Sequence, residues 1–106
     1  MTAVKERLTQ VDGQISAAVA AVEGDAGASP VLGAVVRELQ AKSRKALSTV
    51  DGADEAGVRV AVAEVEQAAD SAKAAAEADP GASDQARQAV LDAHQTICVL
   101  NGKLAS

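Results

Sequence analysis

One pair of side chains in this 106-residue sequence has the type and spacing of metal chemistry: His94 and Cys98, its single histidine and single cysteine. Residues four apart share a face of an α-helix, and a neutral imidazole and a thiolate are both good donors to zinc or copper. Two donors fall short of the four that a tetrahedral site needs. A dimer meeting on this face would supply the rest, with His94 and Cys98 from each chain. An imidazolium beside the thiol would then favour the thiolate and make Cys98 redox-responsive. The simpler assignment, which we prefer, makes Cys98 a small apolar residue flanking a core and His94 a half-exposed surface group, because unpaired cysteines behave as small hydrophobes.

Other chemistries lack parts. A di-iron or dimanganese bundle needs two Glu-x-x-His elements, whereas the residue three before the lone histidine is Leu91. Haem would want a second strong ligand, and Met1 is the only methionine. There is no Cys-x-x-Cys pair and no phosphate-binding glycine loop, and the Gly-x-x-Gly fragment from Gly24 to Gly27 reads as a connection. No enzyme activity and no cofactor are expected on this inventory.

Composition narrows the partners. Without Phe, Tyr or Trp the chain has no ring for base stacking, for a cation–π cage or for a membrane-interface belt. The net charge of −5 is unevenly placed: residues 1–53 carry six basic and six acidic groups, residues 54–106 four and nine. A field of that sign repels phosphate backbones and anionic headgroups, so neither nucleic acid nor membrane is an expected partner. The basic group Arg37, Lys42, Arg44 and Lys45 reads as a solvated helix face rather than a phosphate patch. One cysteine cannot form an internal disulfide, and the cytoplasm is the expected location. Lys5 and Arg7 before the apolar stretch Ile15 to Val22 imitate a signal peptide, but Glu6 and Asp12 interrupt it.

The elements that must carry these residues announce themselves by repetition. Asp25-Ala-Gly-Ala-Ser29 returns as Asp79-Pro-Gly-Ala-Ser83, 54 positions later. At that offset Val4, Leu8, Val11, Ile15, Ala18 and Val22 lie over Val58, Val62, Val65, Ala69, Ala72 and Ala76. The shared spacing of four, three, four is a heptad stripe. Two further stripes follow: Leu32, Val36, Leu39, Ser43, Ala46, Val50, and Ala86, Val90, Ala93, Ile97, Leu100, Leu104. Ser43 is the one polar residue on any of the four.

Punctuation bounds four helices. The first is expected from an N-cap at Thr2 to Glu23, ended by a left-handed Gly24. The second begins after the cap Ser29, with Pro30 at its first position, and ends near Val50. Asp54 caps the third, which continues to about Ala78, and Ser83 caps the fourth, which reaches about Gly102. Helices of about 22 residues are about 33 Å long, and connections this short force neighbours antiparallel. The expected fold is all-α: an antiparallel up-down-up-down four-helix bundle made of two similar hairpins, residues 1–53 and 54–106, forming one domain. Its competitor is a dimer in which hairpins from different chains complete the core.

Beside the core stripe of the last helix runs a second one, Leu91, His94, Cys98 and Asn101, and the second helix has off-stripe apolar residues Val31, Val35 and Leu47. Such width is usual for a helix packed in a globular bundle. It also makes Leu91, His94, Cys98, Val31, Val35 and Leu47 the candidate contact surface for a protein partner or for self-association. The expected function is a non-enzymatic interaction or assembly module. The alternatives are a metal- or redox-responsive bundle using His94 and Cys98, and a binder of, or enzyme acting on, a small apolar ligand in the seam between hairpins.

Overall fold

The computed structural model describes residues 2–105, with side chains from 3 to 104. Four helices follow one another: α1 Thr2–Glu23, α2 Pro30–Val50, α3 Glu55–Ala78 and α4 Asp84–Ala105. The expected caps form at three of the four starts. Ser29 Oγ accepts from the Leu32 N–H at 3.2 Å, Asp54 Oδ1 from Gly57 at 2.8 Å, and Ser83 Oγ from Ala86 at 3.1 Å, each satisfying an orphan donor of a first turn. Thr2, expected as the cap of α1, is instead its first residue, and its side chain lies outside the described ones.

Two boundaries correct the sequence expectation. No described glycine has a positive φ, so Gly24 does not end α1 by turning left-handed. Its N–H completes the last turn to Ala20 O at 3.0 Å, and Asp25 then tightens to Val22 O at 3.1 Å. At the other end α4 runs past Gly102 to Ala105, because Leu104 is still packed against the core and Lys103 in the last turn complements the helix dipole.

Each helix packs mainly against two neighbours, α1 on α2 and α4, α3 on α2 and α4. The four therefore close into a square bundle of 42 × 23 × 17 Å, with α2 and α4 at opposite corners. All four stripes point inward. Every stripe residue is buried except Val4 and Leu104, which are half-buried at the bundle's ends. Volumes are complementary: Leu8, Ile15, Leu32 and Leu39 come from the first hairpin, while the second offers Ala69, Ala72, Ala76, Ala86 and Ala93. Large side chains fill the space that alanines leave, which lets a core without aromatic rings close. No helix among the described residues is long and apolar enough to cross a membrane.

The repeated Asp-x-Gly-Ala-Ser motif explains how the hairpins are joined. Asp25 Oδ1 accepts from Gly27 N–H within its own loop at 3.0 Å, and its Oδ2 reaches across to Ser83 N–H at 2.7 Å. Asp79 does the same in reverse, holding Gly81 N–H at 3.0 Å and Ser29 N–H at 2.7 Å. The loops thus clasp each other reciprocally. They approach so closely that a Cβ on Gly27 would fall within 3.0 Å of the Gly81 carbonyl oxygen, and one on Gly81 equally near that of Gly27. Glycine is required here by contact, not by backbone conformation. The two bridging bonds hold both carboxyls below their usual 3.8: the Ser83 N–H is the main cause for Asp25 and the Ser29 N–H for Asp79. Arg87 adds two further bonds to one side only, donating to the Ala76 and Asp79 carbonyls at 3.2 and 2.5 Å.

Candidate functional site

The second stripe of α4 faces α3, and the antiparallel register places Asp70 opposite His94 and Glu66 opposite Asn101. His94 Nε2 lies 2.7 Å from Asp70 Oδ1 and 3.4 Å from Cys98 Sγ. Asn101 Nδ2 donates to Glu66 Oε1 at 2.9 Å. Asp70, His94 and Cys98 are the one group among the described residues whose ligand atoms of these types converge in this way, all within 4.8 Å of one another. The imidazole is mostly covered, its side chain 18% exposed, whereas that of Asp70 is 60% exposed. An ion could therefore reach the cluster from solvent without a channel.

Burial, followed by the charge and hydrogen bonding of Glu66 and the charge of Asp70, together push the Cys98 thiol up to about 11, against a smaller lowering by Lys73. A value that high favours the protonated thiol at neutral pH. A third group of donor type, Asp70, stands in the same chain on the adjacent helix.

The same seam in the first hairpin provides an internal comparison. At the offset of 54, Glu66, Asp70, His94 and Cys98 stand over Asp12, Ser16, Gln40 and Arg44. Gln40 Nε2 donates to Ser16 Oγ at 3.3 Å, and Ser43 Oγ to Asp12 Oδ1 at 2.9 Å. The backbone register is thus duplicated, while imidazole, thiol and the facing carboxylate occur only in the second copy. Comparison with protein-family models, with characterised proteins and with solved structures finds no match to this chain.

The remaining candidate residues do not form one surface. Val31, Val35 and Leu47 are on α2 and Leu91, His94 and Cys98 on α4, at opposite corners of the bundle. Val31 is 65% exposed, whereas Val35 and Leu47 are half-buried against the core. The basic group on α2 is largely engaged with carboxylates: Lys42 and Lys45 approach Glu64 of α3 at 4.0 and 3.6 Å, and Arg37 bonds Glu23 at 3.3 Å. Two grooves remain. One, between α2 and α3, holds about 80 Å³ beside Val60 and Glu64. The other, between α1 and α4, holds about 290 Å³ beside Gln14, Gln95 and Val99. The first falls well below the roughly 300–1,000 Å³ typical of small-molecule sites, and the second lies at the lower end of that range.

Asp70 and Glu66 escaped the sequence reading. They are two of nine acidic residues in the second half, and their four-residue spacing gains meaning only from the register of α3 against α4. Part of that register was available: facing positions of two antiparallel helices have numbers that sum to a roughly constant value, and 70 with 94 is such a pair with 66 and 98.

Proposed function

We propose that this chain acts as a non-enzymatic helical-bundle module for protein interaction or assembly, its partner another protein or a second copy of itself. The observation that carries the proposal is the clasp. The one polar motif that the chain repeats is consumed in closing the bundle, with all four bridging and intraloop bonds spent on the loops themselves. The polar side chains buried in the described residues, Ser43 and Asp79, likewise hold helix to helix and loop to loop. A rigid rod of helices whose interior is apolar has its outer faces left for recognition, and rigid faces bind with little ordering cost. Val31, Val60 and Val99, each about half exposed or more, offer apolar anchors on three different helices.

The test is the solution mass from micromolar to millimolar concentration, with and without reductant, together with cross-linking in the host cell. A defined oligomer, or a stoichiometric cross-linked complex lost on charge substitution at Val31, Val60 or Val99, is the expected result. A strict monomer without any such complex would refute the proposal.

A further inference from the structure

The α3–α4 seam has an arrangement that interaction alone does not use. In a tetrahedral zinc site, bonds of about 2.0–2.3 Å place donor atoms about 3.4–3.6 Å apart. Here the separations are 2.7 Å from His94 Nε2 to Asp70 Oδ1 and 3.4 Å from Nε2 to Cys98 Sγ, with the third inside 4.8 Å. Opening the first and closing the third asks for movements of about 1 Å, within reach of side-chain rotation on two fixed helices. We propose that Asp70, His94 and Cys98 bind one zinc-class divalent cation within a single chain, with solvent in the fourth position.

The donor set selects the metal. One sulfur, one imidazole nitrogen and carboxylate oxygen suit a borderline-soft tetrahedral ion, whereas magnesium and calcium want oxygen alone. Glu66 stands one helical turn before Asp70 and is held by Asn101 at 2.9 Å, outside the group of three converging donors. On binding, the S–H bond of Cys98 breaks, the sulfur–metal bond forms and the proton leaves to solvent. In the metal-free chain Nε2 must donate its proton to Asp70 Oδ1 at 2.7 Å, so binding also removes that proton to solvent, and the ring ligates through Nε2 with its remaining proton on Nδ1.

The first hairpin supplies the reason to regard this as a site and not a generic feature of the seam. It repeats the geometry with Ser16 and Gln40, bonded at 3.3 Å, and places Arg44 where the second hairpin has Cys98. An amide–hydroxyl pair is sufficient to pack the seam, so imidazole, carboxylate and thiol are not demanded by the fold. An arginine in the first copy also repels a cation, which limits loading to one ion per chain.

Cobalt(II) and zinc titrations of the full chain under reducing conditions test the proposal. Cobalt is expected to saturate at one ion per chain, with a sulfur-to-cobalt charge-transfer band and the intense visible bands of tetrahedral coordination, both abolished by zinc. The sedimentation mass should be the same with and without the ion. His94→Gln, which installs the residue the first hairpin already accommodates, and Cys98→Ala should each weaken binding by about 100-fold or more while the circular dichroism stays helical. If either variant loses its helical signal, Cys98→Ser replaces it in the same titration. No saturable binding at about 100 µM metal, binding that survives both substitutions, or saturation at one ion per two chains would each overturn it.

Discussion

Replacing Gly81 by alanine separates contact from conformation as the reason for the glycines. Because Gly81 has no positive φ, a purely conformational view expects a gain of about 0.4–1 kcal/mol from a stiffer unfolded chain. The structure predicts the opposite. A Cβ there falls closer than 3.0 Å to the Gly27 carbonyl oxygen, where ordinary contact begins at 3.4 Å, and the obstacle is backbone that cannot rotate away. The loops must part by about an ångström, at an overpacking cost of about 3 kcal/mol, the upper end for such changes. After the unfolded-state gain is subtracted, the net loss is about 2 kcal/mol, or a fall in melting temperature of roughly 10 °C for a domain of this size. Thermal melting by circular dichroism reads it, with Gly13→Ala as the control. Gly13 lies inside α1 with nothing within 4 Å of a new Cβ, so alanine there should add up to about 1 kcal/mol and raise the midpoint. A Gly81→Ala variant as stable as the parent would refute the mutual approach of the loops.

Three further outcomes follow from the same contacts. Both clasp carboxyls have folded-state values lowered from 3.8, so their contribution is present above that value and disappears as pH falls through the lower folded ones; denaturant midpoints of the parent should drop more steeply below about pH 4 than those of Asp25→Asn/Asp79→Asn. The Cys98 thiol, at about 11, should react sluggishly with iodoacetamide at pH 8, and Glu66→Gln should accelerate labelling by removing a charge that opposes the thiolate. Ser43→Ala should destabilise by about 1 kcal/mol in urea unfolding, because Ser43 is fully buried and its hydroxyl donates to Asp12 at 2.9 Å.

Much of the fold was legible because each signal had a local physical cause. Ser29 before Pro30, Asp54 before Glu55 and Ser83 before Asp84 name helix starts by hydroxyl or carboxylate capping alone, and α2 and α3 end where Asp51-Gly52 and Asp79-Pro80-Gly81 interrupt them. The inward stripes were legible for the same reason, since apolar period and helix period coincide. The end of α4 was not, because the lone Gly102 resembles a stop signal and only packing of Leu104 against the core carries the helix past it. Gly24 misled similarly: glycine at a helix end suggests a left-handed turn, yet here the chain leaves through right-handed geometry into the clasp.

The candidate site was half legible. His94 and Cys98 are conspicuous as the only residues of their types and share a face by spacing. Asp70 is anonymous among acidic neighbours and becomes a partner only through the α3–α4 register. The clasp was visible as a repeated string but not as a bonded object, since a contact between residues 25 and 83 depends on closure of the whole bundle. The candidate contact residues on α2 and α4 lie apart for a related reason: repeat-equivalent helices occupy opposite corners of a closed square.

Closure within one chain is the claim on which the rest depends. Nuclear Overhauser effects between the α protons of Gly27 and Gly81, recorded on a sample mixing labelled and unlabelled chains, measure it directly. The account predicts a strong effect inside each labelled chain and none between labelled and unlabelled chains. An effect seen only between chains, or absent from both, would contradict it.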